Sequence, residues 1–229
     1  MSVCIVIPAF NEARSIEKVV TASLRSGMDV LVVDDGSADR TAELASAAGA
    51  IVERHARNQG KGVAIRTAAT WVLGHGYDAA VFLDADGQHL PEELPRFREC
   101  FEQTGADLIV GTRMADNASM PLVRKVANRT SSLMVSLVAG TRVTDSQSGY
   151  RLFSRRMLER LASGGGAGFD FESEMIIDAV RDGLKYCEVP ISCIYGEEKS
   201  HYRPLRDAAQ FLSLMVRKSL ERLLPPARR

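Results

Sequence analysis

The chain has 229 residues, of which 45% are apolar and 25% charged, with 29 basic and 29 acidic side chains. That length fits one globular domain, with or without an appendage, and is enough to bury a sizeable core. The balanced charge argues against nucleic acid as the main partner, and the absence of a C-x-x-C pair among Cys4, Cys100, Cys187 and Cys193 suits a reducing, cytoplasmic setting.

Residues 3–7 form a continuous apolar run, the pattern of a parallel strand buried on both faces. Pro8, Asn11, Glu12 and Arg14 follow at once, so the apolar start is too short for a signal peptide and lacks its basic beginning. Residues 12–24 carry Ile16, Val19, Val20 and Leu24 at helical spacing. A strand is expected at 30–33, cap candidates at 37–39 ahead of a helix at 41–48, a short strand at 51–53 and a helix at 62–73. The strand 79–83 precedes Pro91, which opens a helix running to about residue 103. Another strand follows at 108–110. Residues 120–138 then read as a long helix, basic early (Arg124, Lys125, Arg129) and apolar late (Leu133, Met134, Val135, Leu137, Val138). A polar turn at 145–149 leads to a strand at 150–153, a Gly164-Gly165-Gly166 break, a helix at 171–180 and an extended segment at 186–194. The last element is an amphipathic helix at 205–224, closed by Pro225-Pro226, with Arg217, Lys218 and Arg222 beside Phe211, Leu212, Met215 and Leu220. No apolar run approaches the roughly 20 residues that span a bilayer, so membrane contact is expected to be peripheral. Two faces of this kind could lie at an anionic lipid surface or pack in a core or dimer.

Alternating strands and helices imply a layered α/β sheet, and ligands of such sheets bind outside the carboxyl ends of the strands. There the sequence places its chemistry. Asp84-Ala85-Asp86-Gly87-Gln88-His89 directly follows the run 79–83. Alternate side chains of an extended chain point the same way, so Asp84 and Asp86 can face one spot. They repel each other unless a cation sits between them, and hard ions such as Mg²⁺ or Mn²⁺ take oxygen ligands, completed by water and substrate phosphates. The plain alternative is a strand end followed by an Asp-Gly turn. Glu12 could likewise be a first-turn helix residue, Asp34-Asp35-Gly36-Ser37 a turn with a cap, Arg124 part of a solvated face, and His89 structural.

Four segments occur in the order seen in family 2 glycosyltransferases. They are Ile5-Val6-Ile7-Pro8-Ala9-Phe10-Asn11-Glu12, Val32-Val33-Asp34-Asp35-Gly36-Ser37, Asn58-Gln59-Gly60-Lys61-Gly62 and the stretch 84–89. The chain resembles that family and, within it, enzymes of the dolichyl- or polyprenyl-phosphate mannose synthase type. This second likeness rests on Gly111-Thr112-Arg113, on 145–151, on Phe171-Glu172-Ser173-Glu174, on Val189-Pro190-Ile191 and on Gly196-Glu197-Glu198-Lys199. The resemblance covers roughly residues 3–203. It implies the GT-A fold, a mostly parallel central sheet flanked by helices, with the C-terminal helix and tail (204–229) appended.

It also implies roles. Pro8, Phe10, Glu12, Val33 and Asp35 would line the nucleotide pocket, with Lys61, Ala85 and Lys199 also on the donor. Asp84, Asp86 and Gln88 would hold Mg²⁺ or Mn²⁺ on its diphosphate. Arg113 and Arg124 would clamp phosphates, and Asp145 and Glu174 would serve in the active site. The family pattern has a serine where Asn128 stands and an arginine where Cys193 stands, and Gly196-Glu197-Glu198-Lys199 departs by one residue. Asn can still donate to phosphate. The only tryptophan is Trp71, so the Q-x-x-R-W motif of processive synthases is absent and single-sugar transfer is expected.

The expected activity is therefore a metal-dependent, inverting transfer of one sugar from a nucleotide-diphosphate sugar to a polyprenyl phosphate. The expected location is the cytoplasm, at the membrane face, with a homodimer or a membrane-protein partner left open. Two rivals stand beside it. One is transfer to a soluble hydroxyl acceptor with Asp145 or Glu174 as base, and the other is a catalytically silent sugar-nucleotide-binding subunit.

Overall fold

Along β1 (Val3–Ala9) the side chains alternate between the two faces of a sheet, and both faces are apolar. Cys4 and Val6 enter one buried cluster, while Ile5 and Ile7 enter the other. β2 (Val30–Asp34) and β4 (Ala79–Phe82) repeat the pattern and are buried throughout. Strands of this composition need a layer of helices on each side.

The computed structural model describes residues 1–113, 122–164, 171–192 and 204–223. Adding β3 (Ile51–Arg54), β5 (Leu108–Thr112), β6 (Arg151–Ser154) and β7 (Tyr186–Pro190) gives a seven-stranded sheet of order β3-β2-β1-β4-β6-β5-β7. β3, β2, β1 and β4 are mutually parallel, as are β5 and β7. β6 alone runs antiparallel, to β4 on one side and β5 on the other.

One face carries α1 (Ile16–Leu24), α2 (Thr41–Ala47) and α4 (Leu94–Thr104), the last entered through a 3-10 turn at Pro91–Glu93. The other carries α3 (Lys61–Gly74), α5 (Leu122–Ala139), α6 (Arg155–Ala162), α7 (Phe171–Arg181) and α8 (Pro204–Leu223). α8 seats Leu214 and Met215 in the core of this second layer. Beneath them Lys218, 5% exposed, reaches Asp178 at 2.7 Å and Glu174 at 3.0 Å.

Several elements differ from the sequence expectation. The first helix starts at Ile16, because the Glu12 carbonyl accepts from the N–H groups of Ser15 and Ile16 in a preceding turn. Residues 37–39 do not cap α2 in the usual way. Ser37 Oγ accepts from the Asn11 N–H, and Asp39 accepts from those of Ala13 and Thr41. α6 was not anticipated. Its N-cap is Ser154, whose side chain accepts from the Met157 N–H. Of the basic residues expected on one face of α8, Lys218 is buried and Arg217 pairs with Glu174 and Glu221, while the Arg222 side chain lies outside the described residues. Apolar side chains do remain exposed, at Val126, Leu133 and Leu137 on α5 and at Leu212, Val216 and Leu220 on α8. No helix among the described residues is long and apolar enough to cross a membrane.

Candidate active site

The carboxyl ends of β1, β2 and β4 open onto a cleft of about 440 Å³. Of the residues picked out from sequence, Pro8, Phe10, Glu12, Asp35, Lys61, Asp84, Ala85 and Asp86 line it. Val33 lies below, fully buried in the core. The two aspartates after β2 divide their work. Asp34 is fully buried, meets Arg54 Nε at 3.0 Å and accepts from the Ser37 N–H. Asp35 lines the cleft and accepts from the backbone N–H groups of Gln59 (2.9 Å) and Gly60 (2.7 Å). This ties down the loop before α3. Gly36 permits the arrangement. Its φ is +73°, and a Cβ there would overlap the backbone of Arg57.

Lys61 is the first residue of α3. Its Nζ lies 2.9 Å from Asp84 Oδ1 and 3.0 Å from Glu172 Oε1. Enclosure opposes the ammonium charge, yet the two carboxylates outweigh it and raise the Lys61 pKa. Reciprocally, burial would raise the Asp84 pKa, but Lys61 holds the carboxyl well below the usual range. Asp86 Oδ1 accepts from the Gln88 N–H at 2.9 Å, closing the acidic turn. The backbone N–H of Asp84 donates to His89 Nδ1 at 3.3 Å. His89 is buried against Tyr150, and burial lowers its pKa to about 4, so it supports the loop as a neutral ring.

Among the described residues no group of three His, Cys, Asp or Glu side chains converges to hold a metal alone. Asp84 and Asp86 on one rim fit an ion that takes one or two carboxylates and leaves the rest of its shell to water and phosphate oxygens. The Lys61 ammonium against Asp84 shows that this spot already favours a cation.

The far wall comes from β6, whose opposite direction brings its first residues to the ligand edge of β4. Gly149 lies so close to Asp84 that a Cβ would overlap Oδ2. Arg151 is fully buried and fixes this wall. It donates to the carbonyls of Ser148 (2.7 Å), Ser146 (3.0 Å) and Glu172 (2.7 Å). Arg151 and Glu172 had no assigned role from sequence, although both lie within quoted motifs.

Beyond β5, Arg113 grips Asp145 with both arms, Nε to Oδ2 at 2.7 Å and Nη2 to Oδ1 at 2.9 Å. Asn128 Nδ2 adds a bond to Oδ1 at 3.0 Å. Burial would raise the Asp145 pKa, but Arg113 outweighs it and holds the carboxyl below its usual range. Glu174 stands apart from this group, bonded to Arg217 (2.9 Å) and Lys218 (3.0 Å) of α8. Burial would raise its pKa too, and those cations lower it. It is Glu172, two residues earlier, that reaches Lys61, the partner of Asp84. Arg124 lies in the first turn of α5, its side chain outside the described residues, and Lys199 and Cys193 lie outside them altogether.

A sequence model described as glycosyl transferase family 2 matches residues 4–162. A UDP-N-acetylglucosamine–dolichyl-phosphate N-acetylglucosaminyltransferase of Methanococcus voltae is 33% identical, over 84% of this chain and 86% of that one. An undecaprenyl-phosphate mannosyltransferase of Micrococcus luteus is also 33% identical, over 86% and 85%. Among solved structures, glucosyl-3-phosphoglycerate synthase of Mycobacterium tuberculosis, in complex with Mn²⁺, UDP and phosphoglyceric acid, superposes with a TM-score of 0.71. It is 22% identical, with 99% of this chain and 80% of that one covered. Its likeness is one of fold, in keeping with the GT-A sheet order described above.

Proposed function

Because the chain belongs to glycosyl transferase family 2 and is a glycosyltransferase, we propose that it moves one sugar, with inversion, from a nucleotide-diphosphate sugar to a polyprenyl phosphate. The observation that carries the acceptor choice is the state of the two candidate bases. Asp145 is clamped by Arg113 and Asn128, and Glu174 by Arg217 and Lys218. Both carboxyls are held below their usual range, which suits them poorly to taking a proton from a sugar hydroxyl. A phosphate monoester needs no such help, since its second pKa is near 6 and it is largely ionised at neutral pH.

In this reading the nucleotide occupies the cleft between Phe10 and Asp35, with its diphosphate over Asp84 and Asp86. A divalent ion held by those two carboxylates would offset the charge growing on the departing diphosphate. Lys61 exchanges its bonds to Asp84 and Glu172 for a phosphate oxygen. Arg113, oriented by Asp145, faces the acceptor phosphate, with Arg124 and Lys199 as further cations. The acceptor oxygen attacks the anomeric carbon opposite the leaving group, and no protein base takes part. The two relatives named for dolichyl- and undecaprenyl-phosphate transfer support the same acceptor class. A lipid acceptor places the enzyme at a membrane face, for which the exposed apolar residues of α5 and α8 are suited.

The deciding experiment offers labelled nucleotide sugars and Mn²⁺ with either undecaprenyl or dolichyl phosphate in detergent, or soluble sugar and phosphoglycerate acceptors. Label is expected in an acid-labile lipid product. Transfer to soluble hydroxyls alone would overturn the acceptor, and no transfer from any donor would overturn the activity.

A further inference from the structure

His55 follows β3 and has no part in the scheme above, yet it is bonded at both ring nitrogens in a nearly buried position, 9% exposed. Nδ1 lies 2.6 Å from Asp35 Oδ1, and Nε2 lies 2.9 Å from Thr67 Oγ1 on α3. An ionised carboxylate only accepts hydrogen bonds. Nδ1 therefore carries the hydrogen, and Nε2 is held by its bond to the Thr67 hydroxyl. This chain fixes which acceptor positions of Asp35 are taken.

A carboxylate offers about four lone-pair positions. On Asp35, Oδ1 receives His55 Nδ1 and the Gln59 N–H, and Oδ2 receives the Gly60 N–H. One position on Oδ2 has no partner among the described residues, on a side chain that lines the donor cleft. We propose that His55 is a positioning residue that makes the donor pocket selective for uracil, by leaving Asp35 one acceptor position for the base. Uracil is the base whose pairing edge offers a single N–H. Guanine presents two adjacent N–H donors and calls for two acceptors, one of which His55 already occupies. Adenine and cytosine set an accepting ring nitrogen beside their amino group, against the carboxylate. Asn58, also on the cleft, carries an amide N–H suited to a flanking uracil carbonyl. Phe10, 44% exposed on the same cleft, offers a ring face to any base.

The inference rests on the donor-site reading above. The test measures dissociation constants of UDP, GDP, ADP and CDP with Mn²⁺ by calorimetry, on the wild type and on His55→Leu, His55→Asn and Thr67→Val. UDP is expected to bind the wild type tightest, about 10-fold or more ahead of GDP, as one charge-assisted hydrogen bond implies. His55→Leu releases an acceptor position and should bring GDP toward UDP. His55→Asn keeps an N–H near Nδ1 and should restore the preference. Thr67→Val is the milder perturbation in the same direction, and keeps the test open should His55→Leu fail to fold. A merely structural histidine would weaken all four nucleotides alike. GDP binding the wild type as tightly as UDP would overturn the base selection alone. A preference unchanged in both His55→Leu and Thr67→Val would overturn the role of His55. Binding of no nucleoside diphosphate would overturn this inference together with the donor site.

Discussion

Adding one methyl group at Gly149 is expected to damage catalysis through Asp84. A Cβ there would overlap Asp84 Oδ2 and stand 3.0 Å from both Cγ and Oδ1, whereas ordinary contact begins at 3.4 Å. The carboxylate and the Gly149 backbone must therefore part by about 1 Å or somewhat less. Neither side yields freely. Asp84 is held by Lys61 at 2.9 Å and by its own N–H on His89. The loop is held by Arg151 through the carbonyls of Ser146 and Ser148. Misplacing a group by that distance at a reacting centre costs about 100-fold in rate. Crowding a packed site costs about 1–3 kcal/mol of stability, so Gly149→Ala should remain folded but melt earlier. The assay is kcat/KM with the Mn²⁺ concentration for half-maximal rate, checked against a circular-dichroism melt. If the effect passes through Asp84, Gly149→Ala should add little in an Asp84→Ala background. A folded Gly149→Ala enzyme with wild-type kcat/KM and Mn²⁺ response, or full additivity in the double variant, would refute the reasoning.

Three other outcomes follow from the same geometry. Asp145 has a lowered folded pKa, so its contribution to stability is complete above the ordinary value of 3.8 and is lost as pH falls through the folded value. Asp145→Asn should cost on the order of 3 kcal/mol at neutral pH, with the gap to wild type narrowing below about pH 4 in urea melts. A gap that stays constant through that range would contradict the assignment. Lys218→Ala, which leaves Asp178 and Glu174 without their buried cation, should cost on the order of 3 kcal/mol. It should also expose α8 to limited proteolysis, and a protease pattern like the wild type's would argue against a docked helix. Lastly, the protein should float with anionic vesicles at both low and physiological salt. Its contact would rest on Leu133, Leu212 and Val216 rather than on the paired Arg217 and Lys218. Absence from the vesicle fraction at both salts would assign those residues to another partner.

The parallel strands were legible because burial on both faces leaves an unbroken apolar run, as in 3–7 and 30–33. Strand direction was not, because an apolar run reads the same either way. Residues 150–153 looked like any other strand, and their antiparallel place between β4 and β5 emerged only with the sheet. α6 is eight residues long, too short for its spacing of Met157, Leu158 and Leu161 to stand out, although Ser154 was a readable start signal. The grouping of Pro8, Asp35 and Asp84 was legible because strand ends bring them to one edge. The choice between Glu172 and Glu174 was not. Two residues along a helix point about 200° apart, so only one can face the cleft, and the phase of α7 is set by the core it packs on. The grip of Arg113 on Asp145 joins segments about thirty residues apart, a pairing no local pattern encodes.

The antiparallel strand has a consequence for how the chain is made. While the polypeptide is being synthesised, β4 can pair with β1, but its other edge waits for β6, roughly seventy residues downstream. At ordinary translation rates that edge stands open for several seconds. It carries unpaired amide and carbonyl groups on an all-apolar strand, the kind of edge that recruits foreign strands. The insertion that closes it pairs Arg151 with Phe82 and brings Gly149 against Asp84. Protection from aggregation and completion of the cleft wall are thus one event. On the proposed reading, a nascent chain that has not finished its sheet would have no complete acidic pair to offer a nucleotide sugar.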